Sequence, residues 1–178
     1  LKGKPDIEVL DINQRLTNIN DIFDVTSKPL IIDIDTGGKI EHLEINLKTI
    51  ERSGASAIIM EDKKGLKKNS LFGNTVKQEQ ENIKEFSKKI SAGKKATTKK
   101  LMIIARIESL ILGKPLSDAV LRAEKYVEAG ADGIMIHSKD KNPKEIFKFA
   151  EKFRKKFKDV PLVAVPTSYN SVKDKQLE

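Results

Sequence analysis

Apolar runs in this chain repeatedly stop on groups able to bind metals, anions or protons. PLIIDID (29–35) ends on Asp33 and Asp35, and SAIIMED (56–62) ends on Glu61 and Asp62. LMIIARIE (101–108) carries Arg106 and Glu108, and GIMIHS (133–138) closes on His137 and Ser138. Residues two apart on a strand point to the same side, so Asp33 and Asp35 are expected to face one pocket. Carboxylates gathered from several strand ends repel one another unless a cation lies between them. Oxygen donors favour a hard ion, and Mg²⁺ keeps waters while taking one or two carboxylates directly. Arg106 offers a planar fork for a carboxylate or phosphate, and His137 can donate to an anionic oxygen.

Each feature also has a plainer reading. The segment from Asp35 to Gly38 fits an ordinary strand-to-loop turn, Arg106 and Glu108 fit a buried ion pair, and a lone His137 fits a satisfied structural histidine. His42, shortly after Gly38, reads as surface. It is the recurrence at successive strand ends that points to a metal-and-anion site. Another stretch, EDKKGLKKNSLFGN (61–74), follows directly on SAIIM and is too polar for a core, with Gly65 and Gly73 as punctuation. It fits either a lysine-rich surface loop or a lid at the site mouth, in which Lys67 and Asn69 bring a charge and an amide donor to a substrate.

These strand ends need a scaffold, and the chain supplies one by alternation. The four runs above and PLVAVP (161–166) are continuous rather than alternating, the pattern of strands buried on both faces of a parallel sheet. Between them the spacing turns helical. Leu116, Ala119, Val120, Ala123 and Val127 make one stripe, with Ser117 as the expected cap and Gly130 as the stop. Asn142, Pro143 and Glu145 read as N-cap, first helical residue and capping-box acid ahead of Ile146, Phe149, Ala150, Phe153 and Phe157. A further helix is expected over about 75–92, with Val76, Ile83, Phe86 and Ile90 inward, and another stripe joins Ile12, Leu16, Ile19 and Phe23.

The chain also partly repeats itself. ERSGASAIIMEDK (51–63) and VEAGADGIMIHSK (127–139) share a helix end, a Gly-Ala turn and an apolar strand finishing on polar groups. Strict alternation argues for an α/β fold with a parallel sheet wound right-handedly. A (β/α)8 TIM-like barrel and an open doubly wound sheet both satisfy it, and polar residues at strand end after strand end favour the barrel. A full barrel takes about 250 residues. The 178 residues here are therefore expected to cover about five of its eight strands, as a segment of a longer protein.

Composition narrows the partners. The chain is 38% apolar and 34% charged, no apolar run approaches the ~20 residues that span a bilayer, and the N-terminal stretch has no signal-peptide pattern. With no cysteine there is neither a disulfide nor a thiolate nucleophile, which fits a cytoplasmic setting. The net charge of +8 is carried by scattered lysine doublets interleaved with acids, and aromatics are only 5%. That pattern suits solvated helix faces better than a base-stacking platform, so neither a nucleic-acid nor a membrane partner is expected.

MEDKKGLKKNSLFG, DIDTGG, MIIARIESLILGK, AGADGIMIHSK and VPLVAVPTSYN together resemble the phosphoenolpyruvate mutase family, within the isocitrate lyase/phosphoenolpyruvate mutase superfamily. The likeness spans nearly the whole chain, and its most specific element is Glu61-Asp62-Lys63 followed five residues later by Asn69-Ser70. Lyases of the superfamily carry a catalytic cysteine near that position, and this chain has LKKNS there. The resemblance implies a partial barrel, residues 1–178, lacking the family's first two strands and its last. It implies Mg²⁺-dependent interconversion of phosphoenolpyruvate and phosphonopyruvate, with phosphonopyruvate hydrolysis as the alternative, and Mn²⁺ as a possible substitute metal. Asp33 would be the direct metal ligand, and Asp35, Glu61 and Asp6 would hold metal-bound waters. Arg106 and Glu108 would bind substrate, and His137 would contact the phosphoryl group or bridging oxygen. Lys67 and Asn69 would fall on the gating loop as catalytic residues, with Asn69 steadying the migrating phosphoryl group, and the protein is expected to be a homo-oligomer, a dimer or tetramer.

Overall fold

Five short strands form one parallel sheet whose spatial order is the chain order: β1 (Ile31–Asp33), β2 (Ala57–Glu61), β3 (Met102–Ile107), β4 (Gly133–Ile136) and β5 (Leu162–Ala164). The structure is a computed structural model and describes residues 3–4, 7–65, 78–98, 100–173 and 175. Helix α1 (Ile12–Phe23) precedes the sheet, and α2 (Ile40–Arg52), α3 (Ile83–Ala96), α4 (Leu116–Glu128) and α5 (Lys144–Lys156) connect its strands. An open doubly wound sheet would reverse strand order at a switch point. Here the order never reverses, and α2 packs on α3, α3 on α4 and α4 on α5, so the connecting helices line one face. This is a half-barrel of the (β/α)8 type, covering about five strands. Among the described residues, no helix is long and apolar enough to cross a membrane.

The core lies between strands and helices. Ile58, Met60, Ile103, Ala105, Ile107, Ile134 and Ile136 are completely buried, and Leu47, Phe86, Ile90, Tyr126, Phe149 and Phe153 meet them from the helix layer. Each isoleucine, leucine, methionine and phenylalanine among them contributes roughly 1.5–3 kcal/mol by leaving water. Phe86 and Tyr126 touch with ring centroids 4.8 Å apart, which ties α3 to α4. The repeated turn is realised in both copies by a glycine in the left-handed region, Gly54 at φ 95° and Gly130 at φ 105°, each just past a helix end.

Several local expectations need correction. Helix α2 is not marked by the sequence reading beyond its C-terminal end, and His42 lies exposed in its first turn. Helix α3 starts at Ile83, because the Asn82 side chain accepts from the Lys84 N–H and fixes the N-terminus there; Val76 lies outside the described residues. Ser117 does not cap α4, which begins after Pro115. Helix α5 begins at Lys144 with Pro143 rather than Asn142 at its N-cap, although the Lys144 N–H donates at 3.1 Å to the side chain of Asn142. The Asn142 N–H goes to Asp140 Oδ1 rather than to Glu145, so no capping box closes.

Candidate active site

Strand register brings the chemistry-bearing residues together. Glu61 lies opposite Arg106, and Arg106 opposite Met135, so the ends of β2, β3 and β4 stand side by side. Pleating sends Glu61, Arg106 and His137 toward one another. Arg106 is the hub. Its Nε donates to Glu108 Oε1 at 2.6 Å and lies 3.7 Å from Glu61 Oε2. Its Nη2 lies 3.1 Å from His137 Nδ1, and its Nη1 lies 3.9 Å from Asp33 Oδ2. Burial works against the guanidinium charge, but Glu108, Glu61 and Asp33 more than offset it and hold Arg106 firmly protonated.

Glu108 has no exposed side-chain surface, and burial alone would raise its carboxyl. The opposing pull of Arg106 and Lys63 wins, and the group stays ionised. Lys63 is itself buried, with Nζ 3.3 Å from Glu108 Oε2 and 3.6 Å from Glu61 Oε1. Lys63 belongs to the Glu61-Asp62-Lys63 motif but carries no expected role in the site, although its spacing of two from Glu61 was the available signal. The ion pair that was the plainer reading of Arg106 and Glu108 therefore exists, and it forms the floor of the cluster.

Arginine can only donate, so the contact to Nδ1 makes that nitrogen the acceptor and leaves the histidine proton on Nε2. Burial, followed by the neighbouring Arg106 charge, pushes the imidazole below its ordinary 6.5 and keeps it neutral. Nε2 is buried and has no hydrogen-bond partner among the described residues. A satisfied structural histidine would not leave a buried donor unmatched.

The Asp33–Asp35 pair departs from expectation. Strand β1 ends at Asp33, and Asp35 adopts φ 54°, so the alternation that would align the two carboxylates is already broken. Asp33 Oδ1 accepts from the Asp35 N–H at 2.8 Å, and its side chain is 46% exposed. The Asp35 carboxylate is ion-paired with Arg15 of α1. The turn that follows requires glycine at 37, where φ is 73° and a Cβ would sit 2.5 Å from Met60 Sδ. Asp62 and Ser138 face away from Arg106. Asp62 pairs with Arg122 of α4, and Ser138 Oγ accepts from the Asp140 N–H. Asp6, Lys67 and Asn69 lie outside the described residues.

Fitness for a cation rests on the donor set. Three carboxylates, from Asp33, Glu61 and Glu108, face two cationic groups, from Arg106 and Lys63, and the most exposed carboxylate is Asp33. Among the described residues, no group of three or more acidic or histidine side chains is disposed to enclose a metal ion. An ion at Asp33 would thus keep water in most of its positions, the mode preferred by Mg²⁺. A cavity of about 350 Å³ lies elsewhere, between α1 and α2; its lining includes Glu8, Arg15 and His42 but not Glu61, Arg106, Glu108 or His137.

Comparison with known proteins agrees with this geometry. The phosphonopyruvate hydrolase of Variovorax sp. (strain Pal2) is 42% identical over 93% of this chain and 56% of its own length. The crystal structure of phosphoenolpyruvate phosphomutase from Streptomyces platensis subsp. rosaceus superposes with a TM-score of 0.91 at 32% identity, covering 99% of this chain and 60% of that one. A phosphonopyruvate hydrolase in complex with oxalate and Mg²⁺ superposes with a TM-score of 0.85 at 39% identity, covering 97% and 58%. The chain spans about half the length of the curated relatives it matches. The family model described as phosphoenolpyruvate phosphomutase matches residues 1–178. With that match added to the half-barrel and its strand-end cluster, the chain belongs to the phosphoenolpyruvate phosphomutase family.

Proposed function

We propose that the protein to which this chain belongs interconverts phosphoenolpyruvate and phosphonopyruvate. The observation that carries this assignment is the buried Nε2–H of His137, which has no hydrogen-bond partner among the described residues, beside the permanently charged Arg106. Together they form a dry receptor for anionic oxygens. Starting from phosphonopyruvate, the carbon–phosphorus bond breaks and leaves its electrons on the three-carbon fragment as the enolate of pyruvate. The phosphoryl group then bonds to the enolate oxygen. Nothing must be deprotonated and no protein nucleophile is consumed, so catalysis consists of positioning, charge stabilisation and exclusion of water.

In this scheme Arg106 binds the substrate carboxylate and phosphoryl region, with Glu108 and Glu61 fixing its fork. His137 donates from Nε2 to the phosphoryl group or to the bridging oxygen as negative charge builds there. Asp33 would hold Mg²⁺ directly, while Glu61 and Asp35 would contact its waters, Asp35 by exchanging its pairing with Arg15. From outside the described residues, Asp6 would join the water shell, and Lys67 and Asn69 would steady the migrating phosphoryl group. When bound, Mg²⁺ supplies positive charge that lowers the repulsion among the anionic oxygens.

A second reading, phosphonopyruvate hydrolysis, is favoured by the 42% identity to the Variovorax hydrolase. There water captures the phosphoryl group and the enolate takes up a proton, giving pyruvate and phosphate. Phosphorus NMR of the full-length protein with phosphonopyruvate and Mg²⁺ separates the two, because carbon-bound and oxygen-bound phosphorus resonate far apart. Phosphoenolpyruvate is the expected product. Phosphate with pyruvate would select the hydrolase, and unchanged phosphonopyruvate would refute both. The same assignment carries a cytoplasmic homo-oligomer, dimer or tetramer, which sedimentation of the full-length protein checks.

A further inference from the structure

On the opposite side of the same strand ends lies a second buried polar cluster that the proposed chemistry does not use. Asp62 is completely buried. Its Oδ1 accepts from the backbone N–H of Glu108 at 2.9 Å. Its Oδ2 accepts from Gln80 Nε2 at 2.8 Å, Tyr126 Oη at 2.7 Å and Arg122 Nη1 at 3.1 Å. The cluster closes into a ring. Gln80 Nε2 also donates to Ser109 Oγ at 2.9 Å, Ser109 Oγ donates to Asp118 Oδ2 at 2.7 Å, and that oxygen accepts from Arg122 Nε at 2.9 Å.

The ring grips backbone as well as side chains. Arg122 Nη1 donates to the Glu81 carbonyl at 2.8 Å. Residues 62–64 and 79–81 run side by side, through Glu81 N–H to the Asp62 carbonyl, Lys64 N–H to the Glu79 carbonyl, and an antiparallel bridge between Lys63 and Gln80. Lys63 therefore sits on a stretch clamped from behind, and Glu108 hangs from a peptide that Asp62 holds. Both side chains belong to the cluster around Arg106. Replacing a buried ionic network with apolar packing is often neutral or stabilising, so stability alone does not account for it. The surrounding helix–sheet contact is made by Phe86, Ile90, Ala119 and Ala123. What the ring adds is geometry.

We propose that Arg122, acting through Asp62, is a positioning residue for the active site. It fixes the carboxylate that holds the Glu108 amide and the 62–64 backbone, and so sets where Glu108 and Lys63 stand against Arg106. The assignment rests on the strand-end cluster being the active site, whichever of the two reactions runs there.

Arg122→Met in the full-length protein tests it, alongside Arg122→Lys and the double variant Asp62→Asn/Arg122→Met. In Arg122→Met the Glu108 amide should exchange its hydrogen about tenfold faster relative to amides of β4, the worth of one buried hydrogen bond. Turnover of phosphonopyruvate per folded molecule should fall about 10²-fold, mostly in kcat, as expected for displaced reacting groups. The double variant removes the stranded buried charge, and the asparagine amide oxygen still accepts from the Glu108 N–H. It should regain thermal stability and part of kcat. A purely structural role lowers the melting temperature but leaves kcat and KM per folded molecule unchanged, and that result overturns the proposal. If Arg122→Met fails to fold, Arg122→Lys and the double variant decide between the same two outcomes. Should the wild type turn over no phosphonopyruvate, the reaction assignment fails, while exchange at Glu108 still decides the positioning role. Unaltered exchange there refutes it.

Discussion

His137→Asn isolates the donor on which the proposed chemistry depends. Asparagine keeps an amide oxygen near the place of Nδ1, where it can still accept from Arg106, but has nothing at the place of Nε2. The deleted group is a neutral N–H with no other partner among the described residues, so the substitution breaks no further hydrogen bond there. A preorganised donor facing charge that develops in a dry site is worth about 2.7–4 kcal/mol, or 10²–10³ in kcat. A single neutral donor belongs near the lower end, so kcat should fall about 10²-fold. The smaller side chain leaves a small void costing about 1 kcal/mol of stability. The assay follows phosphoenolpyruvate formation at saturating phosphonopyruvate, with a thermal melt run on the same preparation. Mg²⁺ affinity, which does not pass through this ring, should be unchanged. Wild-type activity also gains an acid limb: below its depressed pKa the imidazole takes a proton at Nδ1, facing Arg106, and that limb should vanish in the variant. A kcat within about threefold of wild type, under 1 kcal/mol, would refute the donor role.

Stability should follow His137 as well. Its folded pKa lies below the ordinary 6.5, so the unfolded chain binds the proton more readily; the contribution is complete above 6.5 and declines as pH falls through the interval beneath it, which urea titrations at several pH values will register and which His137→Asn should remove. Gly93→Ala should destabilise the protein in thermal melts. Its Cβ would lie 2.8 Å from Leu47 Cδ1 and 2.9 Å from Ile103 Cδ1, both in fully buried side chains, and overpacking of about 1–3 kcal/mol outweighs the ~1 kcal/mol gained in helix propensity. Asn69→Ala should cut turnover heavily while Mg²⁺ binding, measured calorimetrically, stays intact; full activity would remove Asn69 from the scheme.

The barrel-like order and the strand ends were legible because their signals are local. Continuous apolar runs announce strands buried on both faces, and a pleat of period two places Glu61, Arg106 and His137 on one side. Where the sequence misled, a backbone angle or a distant partner decided. Asp35 reads as aligned with Asp33 only if the strand continues, and it does not, because the chain turns left-handed there and Arg15 takes the carboxylate. Lys63 looked like one lysine of a polar run, and only two buried glutamates reveal why it is desolvated. Arg122 falls on the inward stripe of α4 between Ala119 and Tyr126, a charge where the pattern calls for an apolar residue. That break in the pattern was visible, but its partner 60 residues away was not. Helix α2 escaped notice although Leu43, Leu47 and Ile50 are regularly spaced, since the glycine turn before it suggested a loop.

The internal repeat has an evolutionary corollary. Superimposing ERSGASAIIMEDK on VEAGADGIMIHSK sets Glu61 over His137 and Asp62 over Ser138. Each copy thus offers one socket toward the strand-end cluster and one facing away from it, filled by Asp62 against α4 in one copy and by Ser138 against the Asp140 backbone in the other. The former can be refilled, an acid in one copy and an imidazole in the other, without disturbing the latter. A half-barrel assembled from such units can acquire a new repertoire of reactions one socket at a time, while its load-carrying side stays as it was.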